Sequence, residues 1–128
     1  MKRNYCTNFI YAYAECALWS SIDPDGSPLD DYASIEDIAP ETMAEMRSDC
    51  VDFIWSNRAD LREYCARMDS EQWPGMVQSA RDFWLTRNRH GAGFWDRGLG
   101  DLGKRLSDAA RCYGSIDLHL GDDGMVYS

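Results

Sequence analysis

The residues of this chain that could do chemistry gather between Arg87 and Arg97. Arg87, His90, Asp96 and Arg97 surround the small-residue run His90-Gly91-Ala92-Gly93, and Phe94-Trp95 follows directly. Small residues in succession let backbone N–H groups approach an anion, and a flanking arginine would add positive charge. Histidine titrates near neutral pH, so His90 or His119 beside Asp96 or Asp117 has the makings of an acid–base pair. The simpler reading is a tight connection whose small residues let the backbone pass close to a packed neighbour. In that reading, Asp96 with Arg97 or Arg87 forms an ion pair that fixes the loop. His119 falls at a polar position of an alternating segment, which points it to solvent.

No complete catalytic signature accompanies the loop. A glycine run of this kind serves esterases as an oxyanion loop, but the Gly-x-Ser-x-Gly elbow that would supply the nucleophile is missing. A Walker phosphate loop is missing too. The aromatic residues Trp84, Phe94 and Trp95, with Trp73 nearby, form either core or a binding platform. Phe83 and Trp84 are adjacent and cannot point the same way on a helix, so one of them is expected near the surface. On that basis Arg87, His90, Trp95, Asp96 and Arg97 are the candidate binding residues of an aromatic–glycine loop.

A second candidate surface is made of charge alone. The net charge is −9. From Glu15 to Asp52 there are eleven acids against one base, Arg47, whereas Arg81 to Arg111 holds seven bases against four acids. Carboxylates spaced along a loop and a helix can imitate the phosphate array of a duplex and occupy a basic groove on another protein. Asp23, Asp25, Asp30, Asp31, Glu36 and Asp37 are the candidate binding residues of this acidic face; the alternative is a face that only aids solubility. The overall sign argues against direct nucleic-acid binding and for a protein partner with a basic surface. Ser21 to Gly26 touches the pattern of a calcium loop, with Asp23 and Asp25 at ligand positions, but Tyr32 stands where the bidentate Glu belongs.

The elements that must position these residues are mostly helical. With 128 residues, 45% hydrophobic and 27% charged, the chain is expected to be a single globular domain over 1–128. Phe9, Ile10, Tyr13, Ala14, Ala17 and Leu18 form one stripe of a helix over Tyr5 to Leu18, capped by Asn4 or Thr7. Ser20 to Ser34 is loop, with turn chemistry from Ile22 to Pro28, and a short helical turn is possible at Ser34 to Asp37. Pro40 opens a long helix, with Glu41 suited to its first turn; its apolar series runs through Met68, with a break at Ser56-Asn57. Asp69 to Gln72 is a turn or a first helical turn. Pro74 restarts a helix bearing Met76, Val77, Ala80, Phe83, Trp84 and Arg87, ended by Gly91-Ala92-Gly93. Asp101 opens the last helix, stopped by Gly114. Ile116 to Leu120 and Met125 to Tyr127 flank Gly121-Asp122-Asp123-Gly124 as a β-hairpin, with Phe94-Trp95 as the candidate third strand. The fold class is therefore α+β: four or five helices with a small C-terminal antiparallel hairpin or three-stranded sheet.

Five cysteines (Cys6, Cys16, Cys50, Cys65, Cys112) lie scattered without a Cys-x-x-Cys pair, as expected of reduced, part-buried thiols. No clustered Cys and His suggest zinc, so neither metal nor cofactor is expected. The apolar runs are too short to span a bilayer, and the N-terminal stretch lacks the pattern of a signal peptide.

Asp82-Phe83-Trp84-Leu85-Thr86-Arg87-Asn88, His90 to Gly100 and Gly121-Asp122-Asp123-Gly124 resemble a family of small acidic proteins encoded by tailed bacteriophages, prophages and other bacterial mobile elements. Ile38-Ala39-Pro40-Glu41-Thr42 is similar as well. The resemblance covers most of the chain and is sharpest over its last forty or so residues. Family members often carry Gly where Arg89 stands, and Arg58 to Met76 departs from the pattern. The resemblance implies an accessory protein acting in the cytoplasm of a bacterial host, and it supplies no mechanism. The expected function is binding of a host or defence-system protein rather than catalysis, in its sharpest form as a DNA-mimic inhibitor of a restriction or CRISPR-type system. The rival is a small enzyme or an anion- or ligand-binding module centred on the His90-Gly91-Ala92-Gly93 loop.

Overall fold

A computed structural model describes residues 3–128, with side chains from Cys6 onward. Its five helices are α1 (Arg3–Ser20), α2 (Pro40–Ser56), α3 (Arg58–Met68), α4 (Gly75–Arg87) and α5 (Asp101–Arg111). Three 3-10 turns, Leu29–Asp31, Ile35–Asp37 and Phe94–Asp96, punctuate the connections. The two strands β1 (His119–Leu120) and β2 (Val126–Tyr127) pair antiparallel, with His119 opposite Tyr127.

All six residues of the predicted α1 stripe are buried. The helix begins earlier than its periodicity suggested, so Thr7 lies inside it rather than at its cap, as does the backbone of Asn4. Pro40 is the first residue of α2, where its missing N–H costs nothing. The break at Ser56-Asn57 is present, with Asn57 between α2 and α3.

The organising element is α4, which packs against α1, α3 and α5. From Asp82 to Arg87 every residue is buried. Phe83 and Trp84 do point in different directions, but both directions are interior, so neither reaches the surface. Over this stretch the helix is walled in and has no solvent face to offer. Phe83 stacks on Phe53 with ring centroids 4.0 Å apart. Tyr13 meets Phe83 from α1, and Phe94 closes the cluster against Phe53 and Tyr64.

Phe94-Trp95 is not a strand. It is a 3-10 turn seated on α4 and α5, and the neighbour of β2 on its other side is Ile38, bridged to Val126 in parallel. Ala39 N–H donates to Val126 O at 2.9 Å. The hairpin thus gains its support from the start of α2, which a short, isolated hairpin requires.

Candidate functional site

Arg87 illustrates how the structure redistributes the predicted loop residues. It is buried in the interior. Its Nε donates to Gly114 O at 2.8 Å, Nη2 to Tyr113 O at 2.8 Å, and Nη1 to Asp49 Oδ2 at 2.8 Å and Tyr13 Oη at 3.0 Å. The guanidinium therefore staples the end of α5 to α1 and α2. It has no donor directed at an external anion, which corrects its assignment to a binding loop.

The chain leaves α4 through a helix stop that sequence reading placed later, at Gly91. Arg89 N–H donates to Thr86 O and His90 N–H to Leu85 O, at 3.1 and 2.9 Å, the paired bonds of a Schellman motif. Arg89 holds φ +60°, the left-handed conformation usually given to glycine. Further on, Gly93 is required by contact: a Cβ there would lie 2.2 Å from Thr86 Oγ1. Phe94 N–H donates to that same hydroxyl, and Gly93 N–H donates to Asp96 Oδ1 at 3.0 Å. Asp96 is thus the loop's own anion, and the N–H groups of Gly93 and Phe94 are already occupied.

Arg97 turns the other way. It grips the buried Asp82 carboxylate through Nη2 at 2.7 Å and Nε at 3.2 Å, and Tyr64 Oη donates to the same group at 2.6 Å. Burial pushes the Asp82 carboxyl above its ordinary range, opposed by the Arg97 and Tyr64 hydrogen bonds. Trp95 is half exposed, while Trp84 and Phe94 are core and Trp73 lies under Arg81, 4.7 Å from ring centroid to guanidinium. The four aromatics do not form one platform. His90 is exposed and lines a cleft of about 300 Å³ with Asp117, Ser20, Asn88 and Ser115. Ser20 Oγ there accepts from Trp84 Nε1 and donates to Cys16 O, and Ser115 Oγ donates to Arg87 O. Arg87, His90, Asp96 and Arg97 therefore diverge instead of converging.

Thiol chemistry finds little support in the interior. No disulfide joins the five cysteines. Burial pushes the Cys16 thiol up to about 12 and the Cys65 thiol up to about 11, away from the thiolate form that attacks or ligates. Among the described residues no group of three or more His, Cys, Asp or Glu side chains is placed to hold a metal ion, and no helix is long and apolar enough to cross a membrane.

The acidic segment is built differently. Asp23 Oδ1 accepts from the N–H groups of Asp25 and Ser27, both at 2.9 Å, and closes a turn pinned by the Ile22–Pro28 bridge. Asp37 Oδ2 accepts from Ser34 N–H at 2.9 Å, and Glu36 accepts from Ser34 Oγ at 2.7 Å. That hydroxyl holds the Glu36 carboxyl below its ordinary range, with help from a backbone N–H. Two of the six predicted acids thus fold the segment, and Asp25, Asp30, Asp31 and Glu36 stand exposed. Among the described residues, the ion pairs use Asp49, Asp60, Glu63, Asp82 and Asp108. None uses an acid between Glu15 and Glu45.

Trp19 and Glu15 of α1 meet Asp30 and Glu36 across an open groove of about 420 Å³ floored by Leu18, Ala33 and Ile35. Sequence reading missed this wall. Its signal lay in the positions the buried stripe leaves over: Tyr11, Glu15 and Trp19 recur every four residues on the outward side of α1, and all three are exposed.

No family model, no curated protein and no solved structure matches this chain.

Proposed function

We propose that this chain is an accessory protein of a phage or mobile element that binds a host or defence-system protein in the bacterial cytoplasm, without catalysing a reaction. Its acidic segment is the binding face. In the sharpest form of this reading, the carboxylates stand in for the phosphates of a duplex in the basic groove of a restriction or CRISPR-type protein.

One observation carries the reading. The acids from Glu15 to Glu45 have no cationic partner among the described residues, whereas Asp49, Asp60, Glu63, Asp82 and Asp108 each have one. Like charges held together repel, and a fold that only needed solubility gains nothing from fixing them in place. Here the Asp23 turn and the Ser34–Asp37 cap fix them through backbone hydrogen bonds, which leaves most of the carboxylates free. A preformed field of one sign steers a partner of opposite sign and selects it over others.

The test is capture from a bacterial lysate with the wild-type chain and with Asp25→Lys/Asp30→Lys/Asp31→Lys. The expected result is a basic protein retained by the wild type, released by salt and by excess duplex DNA, and not retained by the variant. Capture that survives both charge reversal and duplex competitor would refute the reading. The rival centred on the His90 loop retains one supporting feature, the cleft shared by His90 and Asp117. It predicts that His90→Ala abolishes function while the triple reversal is silent.

A further inference from the structure

The groove beside Trp19 is more selective than bulk charge requires, and we infer that it receives an arginine side chain of the partner protein, the guanidinium stacked on the Trp19 indole and bonded to the surrounding carboxylates. The inference rests on the acidic-face reading and names the residue type that face recognises.

Three features point to this occupant. The first is charge: Glu15, Asp30 and Glu36 stand around the groove, and among the described residues no base lines it. The second is the exposed ring. Trp19 is 46% accessible and Trp73 is 42% accessible, yet Trp73 is covered by the chain's own Arg81. Among the described residues no cation lies over Trp19. Among the described residues the chain thus holds one exposed tryptophan covered by an arginine and, at Trp19, one that is not.

The third feature is the floor. Leu18, Ala33 and Ile35 are apolar, suited to the methylene stem of a long cationic side chain whose head stays among polar groups. Arginine fits this combination better than lysine. Its guanidinium is planar and weakly hydrated, stacks on an aromatic face, and fans its donors outward in its own plane toward carboxylates. A lysine ammonium is a compact charge that keeps its water and gains less from the ring.

The experiment titrates the full-length chain with a short alternating Arg-Gly peptide and its Lys-Gly counterpart, by calorimetry at low salt. The expected result is that the arginine peptide binds roughly fivefold or more tightly than the lysine peptide, and that Trp19→Ala removes this preference while Trp19→Phe keeps part of it. Circular dichroism confirms the fold of each variant, which an exposed position should not disturb. If the two peptides bind alike and Trp19→Ala is silent while Asp25→Lys/Asp30→Lys/Asp31→Lys abolishes binding, the arginine pocket is wrong and the acidic-face reading stands. If neither peptide binds the wild type at low salt, both are wrong.

Discussion

At Asp82 and Arg87, on α4, charge is turned inward. Asp82 is fully buried against Arg97 and Tyr64, and Arg87 is spent on two carbonyls, a hydroxyl and Asp49. Between Glu15 and Glu45 the same residue types face solvent, and what holds them in place is neutral: backbone N–H groups and the Ser34 hydroxyl. An ion pair consumes the charge it stabilises, whereas a carboxylate that accepts one N–H bond keeps its net charge. The first region uses electrostatics to build the fold, and the second uses the fold to present electrostatics.

The largest test of this contrast is Arg87→Met, which keeps the apolar stem and removes the donors. It strands Asp49, the Tyr13 hydroxyl and two carbonyls, and should destabilise the protein by about 3–5 kcal/mol in chemical denaturation. A loss under about 1 kcal/mol would mean that the staple is ornamental. Next is Asp82→Asn, which turns an amide NH2 toward the donors of Arg97 or Tyr64 and should cost about 2–3 kcal/mol near neutral pH.

The pH dependence of that variant sharpens the point. The Asp82 carboxyl is raised above 3.8 in the folded chain, chiefly by burial. Its contribution is therefore most favourable below the unfolded value and declines as pH rises through the folded one. The stability gap between wild type and Asp82→Asn should widen as pH falls from neutral toward 4. A surface acid that accepts a hydrogen bond shows the reverse, as Glu36 does from Ser34, its lowered value making its contribution fade on acidification.

Much of this architecture is legible in the sequence because period and punctuation agree. The α1 stripe, the proline that opens α2, the interruption at Asn57 and the hairpin turn each follow from local rules. The candidate site is less legible because it depends on where side chains go after the backbone is set. Arg87 and Arg97 lie ten positions apart around one glycine-rich loop, yet they pair with Asp49 and Asp82, which no short-range pattern connects to them. Phe94-Trp95 reads as a strand because aromatics favour pleated surfaces. Thr86 overrides that preference by accepting the Phe94 N–H and leaving room only for Gly93.

Smaller effects bear on the loop and then on the acidic face. Arg89→Gly removes a left-handed strain at the end of α4 and should stabilise the chain by up to about 1 kcal/mol; a loss of stability would show that the Arg89 side chain contributes more than its backbone costs. Asp25→Lys/Asp30→Lys/Asp31→Lys should move the melting temperature by no more than about 3 °C, upward if at all, because it relieves repulsion and breaks no ion pair. A large drop would place those acids among the struts rather than the display.

The bridge between Ile38 and Val126, with Ala39 N–H on Val126 O, ties the downstream edge of the acid-bearing segment to residues far along the chain. On the ribosome that segment emerges long before Val126 exists to dock against it. A growing polypeptide can therefore form the local turns at Asp23 and Ser34 early, whereas the tie at Ile38 and Ala39 waits for the distal residues.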